Sequence, residues 1–362
     1  MNSDLRMKPD RRIRSARTLV FVRHEGEVLG FNYLSKTTFI CSHDLLTFLA
    51  MIDDWTEVTA VGRLLPYHDP DALVEAIDDL VDMRAVIVEH SDLAVLEESF
   101  ERGWKWGIPA ALFHFSVQDP EEHLSLEESE DRQVAKLQAE PQPELYSRSP
   151  ANCEVLRLPQ ADNDLLRLMA RRRTVRTGAP EPITLEQLSD CLRAGLGIVG
   201  ETGNRAGRLP LSMTPSGGAR HPYEAYVVVK SVDGLAPGTY HYAAIDHSLA
   251  RVNDSPPPMF SELIGGQGWA DDMPCLVCLC ARLERTMWKY DDPNAYRVVL
   301  IEAGHIGQNV MLAATSHGLT ACPTAALNHS RINSCISDAN SITHAPIYAL
   351  TLGFPAATSA VV

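Results

Sequence analysis

The chain is predicted to be an α+β protein in two folded parts joined by an acidic segment. Its 362 residues suit two domains or one large one. Strand-like apolar runs and helix-spaced amphipathic runs occur on both sides of residues 119–150. The stretch between them, DPEEHLSLEESEDRQVAKLQAEPQPE, is acidic and proline-bearing. It reads as a solvated linker, although it has the composition of a charged surface helix as well. The boundaries fall at 1–118, 119–155 and 156–362.

Composition narrows the function classes. Hydrophobic content of 45% with 22% charged residues fits a soluble chain with a proper core. A net charge of −15 argues against nucleic acid, which asks for a basic face. No apolar run is long enough for a membrane span. The basic start (Lys8, Arg11, Arg12, Arg14, Arg17) lacks the apolar core of a secretory signal and reads as a frayed tail. Cys275, Cys278 and Cys280 cluster in MPCLVCLCA, a run like a buried strand, where cysteine behaves as a small hydrophobe. Without a second Cys/His pair at zinc spacing, the expectation is no metal and reduced thiols in a cytoplasmic protein.

The first part opens with strands at 18–23 and 28–33 around a turn at Gly26. Ser42 caps a helix carrying Leu45, Leu46, Phe48, Leu49 and Ile52, and a short helix covers 58–65. Asp69 as N-cap with Pro70 behind it opens a third helix, with Leu73, Val74, Ile77, Leu80 and Val81 on one face. A strand at 85–89 closes a small winged-helix-like unit. In the last part, helices are expected at 162–172 and 184–194. Thr184 and Gln187 form a capping box for the second, and Gly195 ends it. Strands follow at 225–230 and 275–281, then a long helix from 297 to 317 stopped by Gly318.

Four stretches in this last part can do chemistry. Pro215-Ser216-Gly217-Gly218-Ala219-Arg220 is a turn poor in side chains before a strand, open to a flat ligand. It also reads as an ordinary glycine turn. Arg171-Arg172-Arg173-Thr174-Val175-Arg176 gathers four cations at a helix end, as a solvated face or as a bidentate anion site. Trp288-Lys289-Tyr290 puts two proton-transfer groups side by side. The long helix holds Glu302, Gly304, His305, Gly307 and Gln308. Its two glycines each cost about 1 kcal/mol relative to Ala unless something must come close.

These pieces, in their order, resemble the nitroreductase-like flavoproteins and more narrowly their SagB-type branch, the azoline dehydrogenases. The matching stretches are RRRTVR (171–176), PSGGARHPYEAYVVV (215–229), GTYHY (238–242), WKY (288–290), YRVVLIEAGHIGQN (296–309), GLTACPTAALN (318–328) and YALTLGFP (348–355). The resemblance implies a nitroreductase-like fold: a central, mostly antiparallel sheet flanked by helices, in a domain-swapping homodimer. It implies FMN as cofactor. Arg172, Arg173, Thr174 and Arg176 would hold its phosphate and ribityl chain, with Thr174 where Ser is usual. Pro215, Ser216, Gly217 and Gly218 would meet the flavin from the second subunit. Thr324, Ala325 and Ala326 would lie near the ring, one through a backbone N–H, and Gln308 would border the site. Lys289 and Tyr290 match a pair assigned to proton removal from the azoline. Many relatives of that family carry basic residues near the C-terminus that help hold phosphate. The ending LGFPAATSAVV has none, so the phosphate would depend on residues 171–176 and on Arg220.

The first part resembles PqqD-like recognition elements, which take a leader peptide as an added strand. The Trp104-x-Trp106 … Phe113-His114-Phe115 stretch looks like the segment joining such an element to SagB-type oxidases. The implied function is FMN-dependent oxidation of thiazoline or oxazoline rings to thiazoles or oxazoles in a ribosomally made peptide. An azoline-containing peptide would be the substrate and a cyclodehydratase complex a partner. Two other readings stand beside it: an NAD(P)H-dependent nitroreductase or flavin reductase, and a non-catalytic peptide-binding scaffold.

Overall fold

The computed structural model describes residues 10–64, 69–119, 125–146, 153–205, 207–336 and 339–356. Part of the basic start, parts of the acidic segment and the last residues of LGFPAATSAVV lie outside the described residues. The chain divides into two compact units, Met1–Val117 and Gln118–Val362.

In the first unit, strands β1 (Arg12–Ser15), β2 (Leu19–His24), β3 (Glu27–Asn32) and β4 (Thr37–Ile40) precede helix α1 (His43–Met51). Strand β5 (Thr56–Glu57), helices α2 (Val58–Leu64) and α3 (Pro70–Asp82), strand β6 (Val86–Val88) and helices α4 (Asp92–Gly103) and α5 (Gly107–Ser116) follow. β2, β3 and β4 form one antiparallel sheet, and β1 lies between β5 and β6 in another. Ser42 and Asp69 cap α1 and α3 through their side chains, as their positions predict.

Within the described residues, the basic start is not frayed. Ile13 of β1 is buried in the core with Ile52, Val61 and Ile77. Arg14 beside it is 1% exposed, and its Nη1 lies 2.6 Å from Glu97 Oε2 of α4. The arginine that suggested a solvated tail is half of a buried ion pair. The Trp104–Phe115 stretch packs inside this unit, with Trp104 and Phe115 against Phe100 at 5.9 and 5.6 Å between ring centroids.

In the second unit, helix α6 (Leu126–Ala139) forms within the acidic segment. A capping box of Ser125 and Glu128 holds its start, and Val134 and Leu137 are exposed. Then come α7 (Asp164–Arg171), β7 (Gly178–Ala179), α8 (Leu185–Leu196), the hairpin β8 (Ile198–Asn204) and β9 (Gly207–Ser212), β10 (Tyr223–Val229), β11 (Gly238–Ala243) and β12 (Ser248–Asn253). The rest is α9 (Phe260–Leu263), β13 (Cys275–Arg282), α10 (Leu283–Met287), α11 (Ala295–Ser316), β14 (Thr320–Thr324), α12 (His329–Cys335) and β15 (His344–Pro355). The sheet runs β12-β11-β10-β13-β15-β14, with β7 added to β15, and every pairing is antiparallel.

β10 and β13 are buried along nearly their whole length because helices cover both faces. Strand alternation then splits the cysteine cluster. Cys275 faces Cys191 of α8, while Cys278 faces Cys335 on α12. Burial pushes the Cys278 thiol up to about 12. A single ion cannot draw on thiols from opposite faces of a sheet, and the described residues hold no group of three metal-ligating side chains. Among them, no helix is long and apolar enough to cross a membrane.

The capping box at Thr184 and Gln187 forms. Gly195, however, does not end α8, which runs one residue further. A Cβ there would sit 2.8 Å from Val310 Cγ2 and 3.1 Å from Ile306 Cγ2, so this glycine lets α8 and α11 close on each other.

Candidate functional site

The turn between β9 and β10 is held from several sides. Thr214 donates to the Gly195 carbonyl at 2.6 Å and accepts from Asn309 Nδ2 at 2.9 Å, which fixes the entry to α8 and α11. Gly217–Ala219 form a short 3₁₀ turn. Gly218 has φ +64°, and Ala219 and His221 follow at +54° and +45°. Non-glycine residues in that region cost about 1 kcal/mol or more each, so the turn must be held by its neighbours. It is. The His221 N–H donates to Ser216 Oγ at 2.8 Å, and the Gly217 N–H donates to Glu302 Oε2 of α11 at 3.2 Å.

The two glycines have a nearer reason than a flat ligand. A Cβ on Gly217 would strike Val298 of α11, and one on Gly218 would strike Tyr290 Oη and Lys289 Nζ. Lys289 Nζ donates to the Gly218 carbonyl at 3.1 Å, and Arg220 Nε reaches the same oxygen at 3.2 Å. The Arg220 guanidinium also lies 5.2 Å from the Trp288 ring centroid. Lys289 and Tyr290 stand in this place because α10 follows β13 directly and its last carbonyls carry the chain on. Both the Lys289 and Tyr290 N–H groups donate to Thr286 O. The structure therefore joins Ser216, Gly217, Gly218, Arg220, Lys289 and Tyr290 in one patch, with Pro215 exposed at its edge.

The other named residues gather around β14. Val175 is sewn to Thr320: its N–H donates to Thr320 Oγ1 at 3.2 Å, and the hydroxyl returns to Val175 O at 3.3 Å. Cys322 Sγ also meets Val175 O at 2.8 Å. This strap fixes the arginine segment beside the strand. Arg172 donates to Thr174 Oγ1 at 3.4 Å, and Arg176 lies 6.0 Å from the Trp269 ring centroid. Arg173 folds back, donating to Ala170 O and Arg172 O at 2.8 Å each. It caps its own helix end, as cations at C-termini do. Further along, Thr324 Oγ1 accepts from Gln267 Nε2 at 2.9 Å and from the Ala326 N–H at 3.1 Å. The Ala326 N–H is thus spent within the loop, while Ala325 and Ala326 are exposed.

Helix α11 packs against both β14 and the glycine turn. Gln308 is half-buried midway along it. Of the two helix glycines, Gly307 is explained: a Cβ there would stand 2.6 Å from the Tyr348 ring. Gly304 faces open space, beside exposed Ile301 and His305.

A cavity of about 550 Å³ adjoins the turn. Apolar Leu196, Ile198, Ile245 and Ile306 line it together with Arg220, His221, Glu224, His241, Arg285 and Glu302. Arg220 was expected at the site and Glu302 stood in a quoted stretch, but sequence reasoning did not single out His221, Glu224, His241 or Arg285, which the turn, β10, β11 and α10 bring together. Glu224 makes a close ion pair with Arg285 and lies 3.3 Å from His241 Nε2 and 3.5 Å from Arg282 Nε. Burial alone would raise its pKa, but His241 and the two arginines override it and hold the carboxyl at about 2. Glu302 goes the other way. Burial pushes it up to about 7 against the hydrogen bonds from Ser216 and Gly217.

Residues 169–354, just over half the chain, match the nitroreductase family model. A protein of Methanocaldococcus jannaschii named as a candidate nitroreductase is 36% identical over 153 residues, covering 42% of this chain and 73% of that protein. The trifolitoxin-processing protein TfxB of Rhizobium leguminosarum bv. trifolii is 34% identical over 133 residues, and the chain spans 34% of its length. Among solved structures, a candidate nitroreductase from Ralstonia eutropha aligns at TM-score 0.44 and 24% identity, over 60% of this chain and 98% of that one. The E. coli microcin synthetase McbBCD complex aligns at TM-score 0.49 and 20% identity, over 72% and 91%. The chain belongs to the nitroreductase family.

Proposed function

We propose that this chain is an FMN-dependent dehydrogenase that aromatises thiazoline or oxazoline rings in a ribosomally made peptide. The observation that carries this reading is the meeting of Lys289, Tyr290 and Gly218. A flexible amine and a phenol stand on a strained turn whose counterpart in the family meets the flavin. The similarity to a trifolitoxin-processing protein supports a peptide as the substrate.

Nitroreductase-family proteins generally bind flavin. The donor set here suits FMN: Arg172, Arg173 and Arg176 for a phosphate, Thr174 for the ribityl chain, and Thr324, Ala325, Ala326 and Gln308 beside the ring. Arg173 must leave the Ala170 and Arg172 carbonyls to take part. When bound, FMN supplies the two-electron acceptor that the side chains lack. The Lys289 amine removes the ring Cα proton, and the Gly218 carbonyl orients that amine. The Tyr290 hydroxyl fills the space beside the Gly218 Cα, and its ring centroid lies 5.3 Å from Lys289 Nζ. Pro215–Gly218 and Arg220 serve the site of the second subunit in a homodimer, for which Ile301 and Gly304 leave an open stretch on α11. The first unit acts as a winged-helix-like element that recognises the peptide leader, and a cyclodehydratase complex supplies the azoline in the cytoplasm.

The similarity to a candidate nitroreductase favours a second reading, an NAD(P)H-dependent flavin reductase. One experiment separates the two. The purified protein is expected to show the visible bands of FMN and to bleach anaerobically with an azoline peptide. Bleaching by NADPH but not by azoline peptide would establish the second reading, and a colourless protein that cannot be loaded with FMN would sink both.

A further inference from the structure

The turn that carries Gly217 and Gly218 has three residues at positive φ within four positions. Such a segment keeps its shape only if the surroundings fix it. Lys289, which touches it, is exposed, and Arg220 rests on Trp288, itself 68% exposed. Glu302 is different. It is 5% exposed, sits mid-face on a helix of 22 residues, and meets the turn at two consecutive residues. The Gly217 N–H donates to Oε2, and the Ser216 hydroxyl donates to the same carboxyl group while accepting from the His221 N–H. A continuous chain of hydrogen bonds thus runs from the end of the turn, through Ser216, to one buried carboxylate.

We propose that Glu302 is a positioning residue, whose carboxylate holds the Ser216–Gly217 turn in the shape that receives the cofactor. A carboxylate accepts on both oxygens, whereas an amide in its place turns a donor toward one of two donors. The choice of a buried acid over the cheaper amide is then explained by the turn. The burial that raises Glu302 toward neutrality is the cost of this arrangement. Other groups facing it are the Tyr223 phenol of β10, kept neutral by burial, and across the cavity Arg220, His221, Glu224, His241 and Arg285.

The cofactor clause rests on the function proposed above, so the test has two arms on the full chain. In the first, amide hydrogen exchange is compared between wild type and Glu302→Gln without added flavin. Peptides covering residues 214–222 are expected to exchange about tenfold faster in the variant, with β13 unchanged. In the second, FMN is titrated by its fluorescence quenching. Binding is expected to weaken about fivefold or more in Glu302→Gln, with Glu302→Ala weaker still. Unchanged exchange at the turn overturns the positioning role. Faster exchange with unaltered FMN affinity overturns its link to the cofactor. Wild-type protein that fails to bind FMN overturns the proposed function, and the exchange arm still decides what Glu302 does to the turn.

Discussion

Lys289 reaches across from the end of α10 to donate from Nζ to the carbonyl of Gly218, 3.1 Å away, and so ties its side chain to the Pro215–Arg220 turn. The two residues lie far apart in sequence and come together because β10 and β13 are paired neighbours in the sheet. The lysine is exposed, so its hydrogen bond aims the side chain without burying it.

Lys289→Met removes the amine and keeps much of the stem that packs on the turn. If this amine takes the ring proton, oxidation of an azoline peptide should fall by about 10²–10⁴ in single-turnover measurements. FMN content, read from the visible spectrum, should stay within twofold of wild type by roughly the same reasoning. Turnover at the wild-type rate would remove Lys289 from the chemistry.

Gly218→Ala is expected to be damaging for two separable reasons. The residue sits at φ +64°, and its new methyl would stand 2.7 Å from Lys289 Nζ and collide with Tyr290 Oη. The backbone cost is about 1 kcal/mol, and displacement of Lys289 adds to it. Urea unfolding should show a loss of about 1–3 kcal/mol. A loss below about 0.5 kcal/mol would mean the lysine and tyrosine leave the turn freely.

Much of this site was legible in the chain, and the gaps have a common cause. Local chemistry speaks in sequence: the caps at Ser42, Asp69 and Thr184, the stop at Gly318 and the apolar run of β13 all appear where expected. What depends on a distant partner does not. Gly217 and Gly218 suggest a ligand, but Val298, Lys289 and Tyr290 are what press on them. Gly195 looks like a helix stop and is a helix-crossing point. Glu302 stood inside a quoted motif with nothing to mark it, because its burial and its two turn contacts exist only after α11 docks. The linker reading of residues 119–150 weighed charge above the capping box at Ser125 and Glu128, yet α6 forms there.

The ionisation of Glu302 predicts how stability depends on pH. Its folded pKa is raised to about 7, above the usual 4.5, so the folded state binds the proton more tightly. The stabilisation is complete below the unfolded value and is lost as pH rises through 7. Between pH 5.5 and 8.5 this should cost the wild type about 2 kcal/mol relative to Glu302→Gln, which has no proton to lose. The check is the difference in urea unfolding free energy between the two proteins at each pH, which cancels the other titrating groups. A pH-independent difference would show that Glu302 titrates as an ordinary surface acid. Combined with faster exchange at the turn, a variant that is globally more stable at pH 8.5 would separate positioning from simple support.

Glu97 anchors the least expected element of the chain. It is fully buried on α4, where Oε1 accepts the Arg17 and Thr18 N–H groups at 2.8 and 3.0 Å, while Oε2 faces Arg14 Nη1 at 2.6 Å. Arg14 is equally buried, with its guanidinium 4.6 Å from the Trp55 ring centroid. Removing one partner leaves an uncompensated charge in a dry place, which costs far more than the pair itself is worth. Glu97→Ala should therefore destabilise the first unit by about 3–5 kcal/mol, enough to exhaust the stability of many domains of this size. Replacing both partners, Arg14→Met with Glu97→Leu, should recover most of that loss by the same logic, to within about 1–2 kcal/mol, since the Thr18 and Arg17 N–H groups still lose their acceptor. Thermal unfolding of the two variants followed by tryptophan fluorescence, with three of the five tryptophans (Trp55, Trp104 and Trp106) in this unit, reads both results. If Glu97→Ala unfolds within a degree or two of wild type, the β1 strand is held by Ile13 and its sheet neighbours alone.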